Sequence, residues 1–245
     1  MHSGARDARM TGFFKRASPV MIAVGGLSGS GKTTLAAEIG KRMPGAVVID
    51  SDTFRKGLHG IDPKTPLPEH AYSPSNTKQF IRRIHREAAQ HLQAGKNVIV
   101  TGLFIDKNTR AKQEEIARAN GAEFIGIYLH ASASVLFDRV AKRKDSASDA
   151  DKAVLKRQIK SLQKAQAAEA FAGSSAPAGG LRKSASPPRV FRELNWQIIN
   201  ADQPLESMLH SAILYIHQEH QKFRLRLPSS SKIKQKQLDK PKPTY

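Results

Sequence analysis

A chain of 245 residues with 39% hydrophobic content can bury a packed core, and its lack of cysteine excludes a disulfide framework and any thiolate metal site. No apolar stretch approaches the roughly 20 residues that span a bilayer, and the basic opening MHSGARDARMTGFFKRASP lacks the apolar segment of a secretory signal. The net charge of +19 gathers at the margins: residues 221–245 hold eight Lys or Arg against Asp239 alone, residues 1–18 hold four against Asp7, and residues 172–189 hold three against none. The remaining chain is only mildly basic, so charge alone does not make this a nucleic-acid-binding protein.

Those three segments read as a disordered basic lead (1–18), a flexible insertion (172–189) and a disordered basic tail (221–245). One domain, residues 19–220, lies between them. The absence of cysteine is compatible with a cytoplasmic location.

In chain order, apolar runs bounded by turn residues fall at Val20–Val24, Ala46–Ile49, Asn97–Val100, Phe124–Leu129 and Trp196–Ile199. Helical spacing occupies Thr34–Met43, Pro74–Ala94, Lys107–Asn120, Ser132–Lys144 and Pro204–His217. A polar turn, DSASDAD, and a long helix rich in Ala, Gln and Lys fill residues 145–170. Strands alternating with helices imply crossover connections, and therefore an α/β fold with a mainly parallel five-stranded sheet and helices on both faces.

The first strand leads into GGLSGSG, and Gly26, Gly31, Lys32 and Thr33 fit G-x-x-x-x-G-K-[ST], the phosphate loop of the P-loop NTPase fold. Glycines let successive N–H groups turn inward around a β-phosphate, and the helix that follows offers its positive end to the same anion. Gly26, Leu27, Ser28, Gly29, Ser30, Gly31, Lys32, Thr33 and Thr34 are thus the expected ATP-binding residues. Lys32 would act on the β and γ oxygens and the Thr33 hydroxyl on Mg²⁺.

The second strand ends in VVIDSDTFRKGL. Its Asp52 lies at the sheet edge where ligands bind, placed to orient an acceptor hydroxyl and take its proton. The competing reading is a helix cap by Ser51 or Asp52, and Asp50 is expected to be structural. Arg139 and Arg143, four apart on one helix face before the polar turn, form a natural basic lid over a triphosphate, against the alternative of a solvated helix face.

AVGGLSGSGKTTLA, SDTFRKGL, AYSP and ASDADKAVLKRQ, in this order, resemble the small P-loop ATP-binding kinase family that often occurs fused behind an aminoglycoside-phosphotransferase-like domain. Gluconate kinases, zeta toxins and polynucleotide 5′-hydroxyl kinases are more distant relatives of that family. The likeness covers about residues 20–164 and 190–217, and the kinase-like unit is expected to stand alone here. The resemblance implies an ATP-dependent phosphotransferase with a helical lid. It makes Asp52 the acceptor-side carboxylate, Arg55 a substrate or phosphate ligand and Arg143 a lid residue. One position departs from it: Thr101 in VIVTGLF stands where the family usually has an acid. Either Asp52 or Asp50 then serves the metal, or metal binding is weak. Thr101→Asp is expected to tighten Mg²⁺, unless the site has been rebuilt around threonine.

The leading expectation is phosphoryl transfer to the hydroxyl of a small molecule such as a sugar acid. Two alternatives stand beside it: a polynucleotide 5′-hydroxyl kinase using the basic tail and insertion, and a nucleotide-binding module without transfer, in which Thr101 marks lost catalysis and the tail docks an acidic partner or a membrane surface; the tail is also expected to hold nucleic acid nonspecifically. His217 and His220 in HQEH are expected to interact with the end of the last helix, and Trp196 to pack at the start of the last strand.

Overall fold

The computed structural model describes residues 18–143, 148–172 and 196–226. The basic lead, the insertion and most of the tail therefore lie outside the described residues. Five strands, β1 (Val20–Gly26), β2 (Val47–Ile49), β3 (Val98–Gly102), β4 (Glu123–His130) and β5 (Trp196–Asn200), form one parallel sheet in the order β2-β3-β1-β4-β5. The helices are α1 (Lys32–Arg42), α2 (Ser51–Leu58), α3 (Pro74–Gln93), α4 (Lys107–Ala119), α5 (Ala133–Lys142), α6 (Lys152–Ala172) and α7 (Leu205–Arg226). This is the expected architecture. From β1 the chain moves to β2 and β3 on one side, then to β4 and β5 on the other. A crevice at such a switch point, outside the carboxyl ends of the strands, is where open α/β sheets bind ligands.

Side-chain alternation along the central strands builds two cores. Ile22 pairs in register with Ile99 and with Ile125, and this fully buried row packs with Leu35 and Ile39 of α1 and Ala212 and Ile216 of α7. The neighbours Met21, Val98 and Val100 point to the other face, against Phe80, Ile84, Ala88 and Leu92 of α3. Those four recur every fourth residue, the spacing that keeps an apolar stripe on one helical face. Ser73 caps α3 by accepting from Asn76 N–H, and Pro74 occupies its first turn.

Trp196 packs as expected. It lies in register with Gly126, where a Cβ would approach the indole to 2.5 Å, and its ring meets Phe104 and Phe124 at centroid distances of 5.5 and 5.8 Å. Two expectations at the last helix are corrected. α7 runs on to Arg226, past the assumed boundary at His220, and His220 does not serve the helix end. Its Nδ1 pairs at 2.7 Å with Glu123 Oε2, and both side chains are buried. Ile216 and His220, one turn apart, continue the inward face and draw the helix onward, so the first residues of the basic tail are helical.

Candidate active site

Three strand ends meet at the carboxyl edge of the sheet, and each contributes one part of the site. At the end of β1, Gly26 has a φ of +144°; a Cβ there would lie 2.6 Å from Ser30 Oγ and 2.7 Å from the Leu129 carbonyl oxygen, so only glycine fits. Ser30 N–H closes a turn onto the Leu27 carbonyl at 3.2 Å, and Gly31, left-handed at φ 92°, precedes α1. The loop is a concave cradle in front of a helix N-terminus. Ser30 Oγ is buried in it without a hydrogen-bond partner among the described residues.

Lys32 is not the solvent-facing amine an empty loop suggests. Its Nζ folds back and donates to the Leu27 carbonyl at 2.9 Å, the nearest acceptor for a cation on a flexible stem. Burial pushes its pKa down to about 8, partly opposed by Asp52 and Asp50 and assisted by Arg143. Ser28 N–H donates to Gln158 Oε1 at 3.0 Å, which ties α6 to the loop.

At the end of β2, Asp50 accepts from four donors. Thr33 Oγ1 donates to its Oδ2 at 2.7 Å and Thr101 Oγ1 to the same oxygen at 2.9 Å, while Thr53 N–H and Thr53 Oγ1 reach Oδ1 at 3.0 Å each. Burial alone would raise its pKa, but these hydrogen bonds outweigh burial and hold the carboxyl below its ordinary value. Asp50 is therefore the cap of α2, replacing Ser51 or Asp52 in that part. Of the two carboxylates the sequence left open beside Thr33, it is also the one in contact with that hydroxyl. The reason is local: the capping residue points back at the strand ends, whereas Asp52, two residues on, turns toward the cleft.

The threonine at β3 belongs to the same network. Thr101 is buried, donates to Asp50 and accepts from Ser51 N–H at 3.1 Å. The site is built around its hydroxyl. Of the two outcomes the sequence left open for Thr101→Asp, this network favours the site rebuilt around threonine: a second carboxylate would replace a donor to Asp50, raise the pKa of the pair and weaken Mg²⁺. A Mg²⁺ titration of nucleotide binding should rise several-fold in midpoint for Thr101→Asp and little for Thr101→Ser.

Asp52 lines the cleft beside Lys32 and Arg55. Burial raises its pKa above the ordinary carboxylate value; a hydrogen bond with Ser148 and the charges of Lys32 and Arg143 oppose the rise, and Asp50 adds to it. The two expected lid arginines separate. Arg139 Nη1 donates to the Ala201 carbonyl at 2.8 Å and lies 3.5 Å from the Gly29 carbonyl, so it braces the phosphate loop against the end of β5 and is not poised over the cleft. Arg143 leaves α5 in an extended conformation with a buried Nη1 that has no hydrogen-bond partner among the described residues, and it borders a smaller hollow of about 320 Å³ shared with Pro66, Val140 and Asp149. Its charge still acts on Lys32 and Asp52.

Sequence reasoning missed Asp149 and Lys56, although SDTFRKGL and ASDADKAVLKRQ contain them. Lys56, only 1% exposed, pairs with Asp149 at 2.7 Å and donates to the Pro63 carbonyl at 2.9 Å. Asp149 Oδ2 also accepts from Leu67 N–H at 2.8 Å and Tyr72 OH at 2.7 Å. One carboxylate thus fastens the segment carrying Ser148 to the loop between α2 and α3. Asp149→Ala leaves the Lys56 ammonium buried and unpaired, and denaturant unfolding should register a loss toward the low end of the about 3–5 kcal/mol expected for breaking a buried pair. Combining Lys56→Met with Asp149→Leu should recover much of it.

Ser28, Lys32, Asp52, Arg55, Thr101 and Asp149 border a cleft of about 1370 Å³ that runs from the phosphate loop past Arg55 to α3 and α4. Among the described residues no cluster of three or more His, Asp or Glu could hold a metal by itself, and no helix is long and apolar enough to cross a membrane.

Comparison with known proteins agrees with this geometry. A family model described as AAA domain matches residues 21–165, more than half of the chain. An uncharacterized protein of Mycobacterium tuberculosis strain H37Rv, Rv2004c, is 30% identical over 144 residues, covering 57% of this chain and 29% of that protein. An adenylyl-sulfate kinase of Geotalea daltonii is 29% identical over 128 residues, covering 51% of this chain and 58% of the other. The chain spans less than two thirds of the length of either relative. Among solved structures, a gluconokinase from Sinorhizobium meliloti 1021 superposes with a TM-score of 0.54 at 21% identity, covering 87% of this chain and all of the other, a likeness of fold. A glycine cradle at the end of the central strand, a lysine and threonine opening the next helix and a family match that begins on that strand lead to one assignment: the chain belongs to the AAA domain family.

Proposed function

We propose that this protein transfers the γ-phosphoryl group of ATP to a hydroxyl of a small-molecule acceptor. The observation that carries the reading is the division of labour between two aspartates two residues apart. Asp50 is held ionised against the Thr33 hydroxyl on the phosphate-loop side, and Asp52 has a raised pKa and faces the cleft. Similarity to an adenylyl-sulfate kinase supports small-molecule transfer.

The residues fit a triphosphate and its metal. The Gly26 cradle, the unpartnered Ser30 hydroxyl and the α1 N-terminus suit phosphate oxygens, and the Thr33–Asp50 pair is a donor set for Mg²⁺ shared with them. Mg²⁺ would supply charge neutralisation at the β and γ oxygens. Lys32, released from the Leu27 carbonyl, does the same as a point charge. Asp52 accepts the proton of the acceptor hydroxyl as the new O–P bond forms and the bond between the γ-phosphorus and the ADP oxygen breaks. Arg143 faces the charge on the transferring group, and Arg139 keeps Gly29 and Ala201 in place.

Incubation with γ-labelled ATP and a pooled metabolite extract tests the reading. Label in an organic product is the expected result; release of inorganic phosphate alone would refute it. The polynucleotide alternative rests on basic segments outside the described residues, and no feature of the cleft favours it.

A further inference from the structure

The walls of the acceptor side of the cleft are unlike those a sugar acid requires. Beyond Arg55 the cleft is bounded by Phe80 and Ile84 of α3, Val100 of β3, and Phe104 and Ile105 behind it, with Ile81 and Leu103 at the rim, 39% and 38% exposed. Polyol hydroxyls laid against such walls would lose their hydrogen bonds to water and receive none in return. An apolar body loses nothing of the kind and gains its own burial.

Glu69, Ser73, Thr77, Asn108, Thr109 and Lys112 also border the cleft, and two sets of polar groups flank this apolar wall. At the near end Asp52 and Arg55 are three residues apart on α2, which puts them on one helical face with Cβ atoms about 5–6 Å apart. The Arg55 guanidinium lies 3.9 Å from the centroid of the Phe80 ring and 5.2 Å from that of Tyr72, and Nη1 donates to the Ala71 carbonyl at 3.2 Å. It has no salt-bridge partner among the described residues. A half-buried cation fixed by two aromatic faces beside the proposed base suits an oxyanion close to the reacting hydroxyl. At the far end His85 and Gln113 are bonded to each other at 3.2 Å. From Phe80 to His85 α3 rises about 7 Å, the length of a ring with one substituent.

Resting on the phosphotransferase reading, we infer that the acceptor is a hydroxy acid with an apolar, ring-sized body. Its carboxylate lies at Arg55 and its hydroxyl at Asp52, while the body runs along Phe80, Ile84 and Phe104. A polyhydroxylated sugar acid does not meet that description, which narrows the substrate class expected from the sequence.

Three probes separate the features: 3-phenyllactate carries the hydroxyl, the carboxylate and the ring; D-gluconate lacks the apolar body; 2-phenylethanol lacks the carboxylate. Binding is measured by calorimetry with ADP and Mg²⁺ present, and transfer by label from γ-labelled ATP. 3-Phenyllactate should bind at least tenfold more tightly than either of the others and lead them by a similar factor in kcat/KM. The double variant Ile81→Ser with Leu103→Ser, altered only at exposed positions, should raise KM for 3-phenyllactate about fivefold and leave KM for ATP unchanged. Equal or stronger binding of D-gluconate, or no binding of 3-phenyllactate, overturns the inference even if transfer is observed. The expected binding preference without label in any probe would support the acceptor class and refute the transfer reading instead.

Discussion

Lys32→Ala should lower phosphoryl transfer by about 10²–10³-fold or more, the range seen when a preorganised charge at a transition state is removed. The fold should survive, because the Lys32 amine is held by one carbonyl of its own loop and by no distant element. The pH dependence is the sharper measurement. In the free protein burial brings Lys32 down to about 8, so it is protonated and ready for a triphosphate below that pH and neutral above it. Nucleotide affinity should therefore be level below pH 8 and fall with rising pH, by up to tenfold per unit, with a proton taken up on binding. Calorimetry in buffers of different ionisation enthalpy reads that proton directly. Lys32→Ala should bind weakly at every pH and take up none. A variant that keeps the alkaline fall would mean that another group titrates there.

Asp52→Asn should cost about 10²–10⁴ in kcat for acceptor phosphorylation, the contribution of a positioned general base, with little change in ATP affinity. In the parent the acid limb of the rate profile should lie above the ordinary carboxylate range, since burial favours the protonated form of Asp52. Activity appears as pH rises through that value, because only the ionised carboxylate accepts the hydroxyl proton. The limb should vanish in Asp52→Asn. Asp50→Asn should behave differently: removing the charge against Thr33 should raise the Mg²⁺ requirement and weaken nucleotide binding along with turnover. If the two variants gave the same pattern, both aspartates would belong to the metal side and the acceptor would need another base.

The two substitutions also mark where the sequence was informative. The loop that carries Lys32 and Thr33 was legible from spacing alone, because a phosphate loop is a local object: glycines, a lysine and a hydroxyl within one turn, with geometry set by backbone torsions over a few residues. The five strands and their parallel direction, though not their order in the sheet, were legible for a similar reason, since buried strands between amphipathic helices leave a period in the sequence and crossover connections make neighbouring strands parallel.

What the sequence could not apportion was the work of residues that act through partners far along the chain. Asp50 and Asp52 look interchangeable in VVIDSDTF, and the arrival of Thr101 from β3, 51 residues away, ties one of them into the hydrogen-bond network with Thr33. Arg139 and Arg143 are spaced to share a helix face, yet the end of β5 captures the first, 62 residues away, while the second leaves the helix with an Nη1 that has no hydrogen-bond partner among the described residues. Lys56 reads as one more surface cation until Asp149 comes to rest on it. Local spacing determined the fold and the phosphate loop; long-range hydrogen bonds and burial, properties of the folded chain alone, decided which charged side chain contacts Thr33, which lines the cleft, and which braces the surrounding loops.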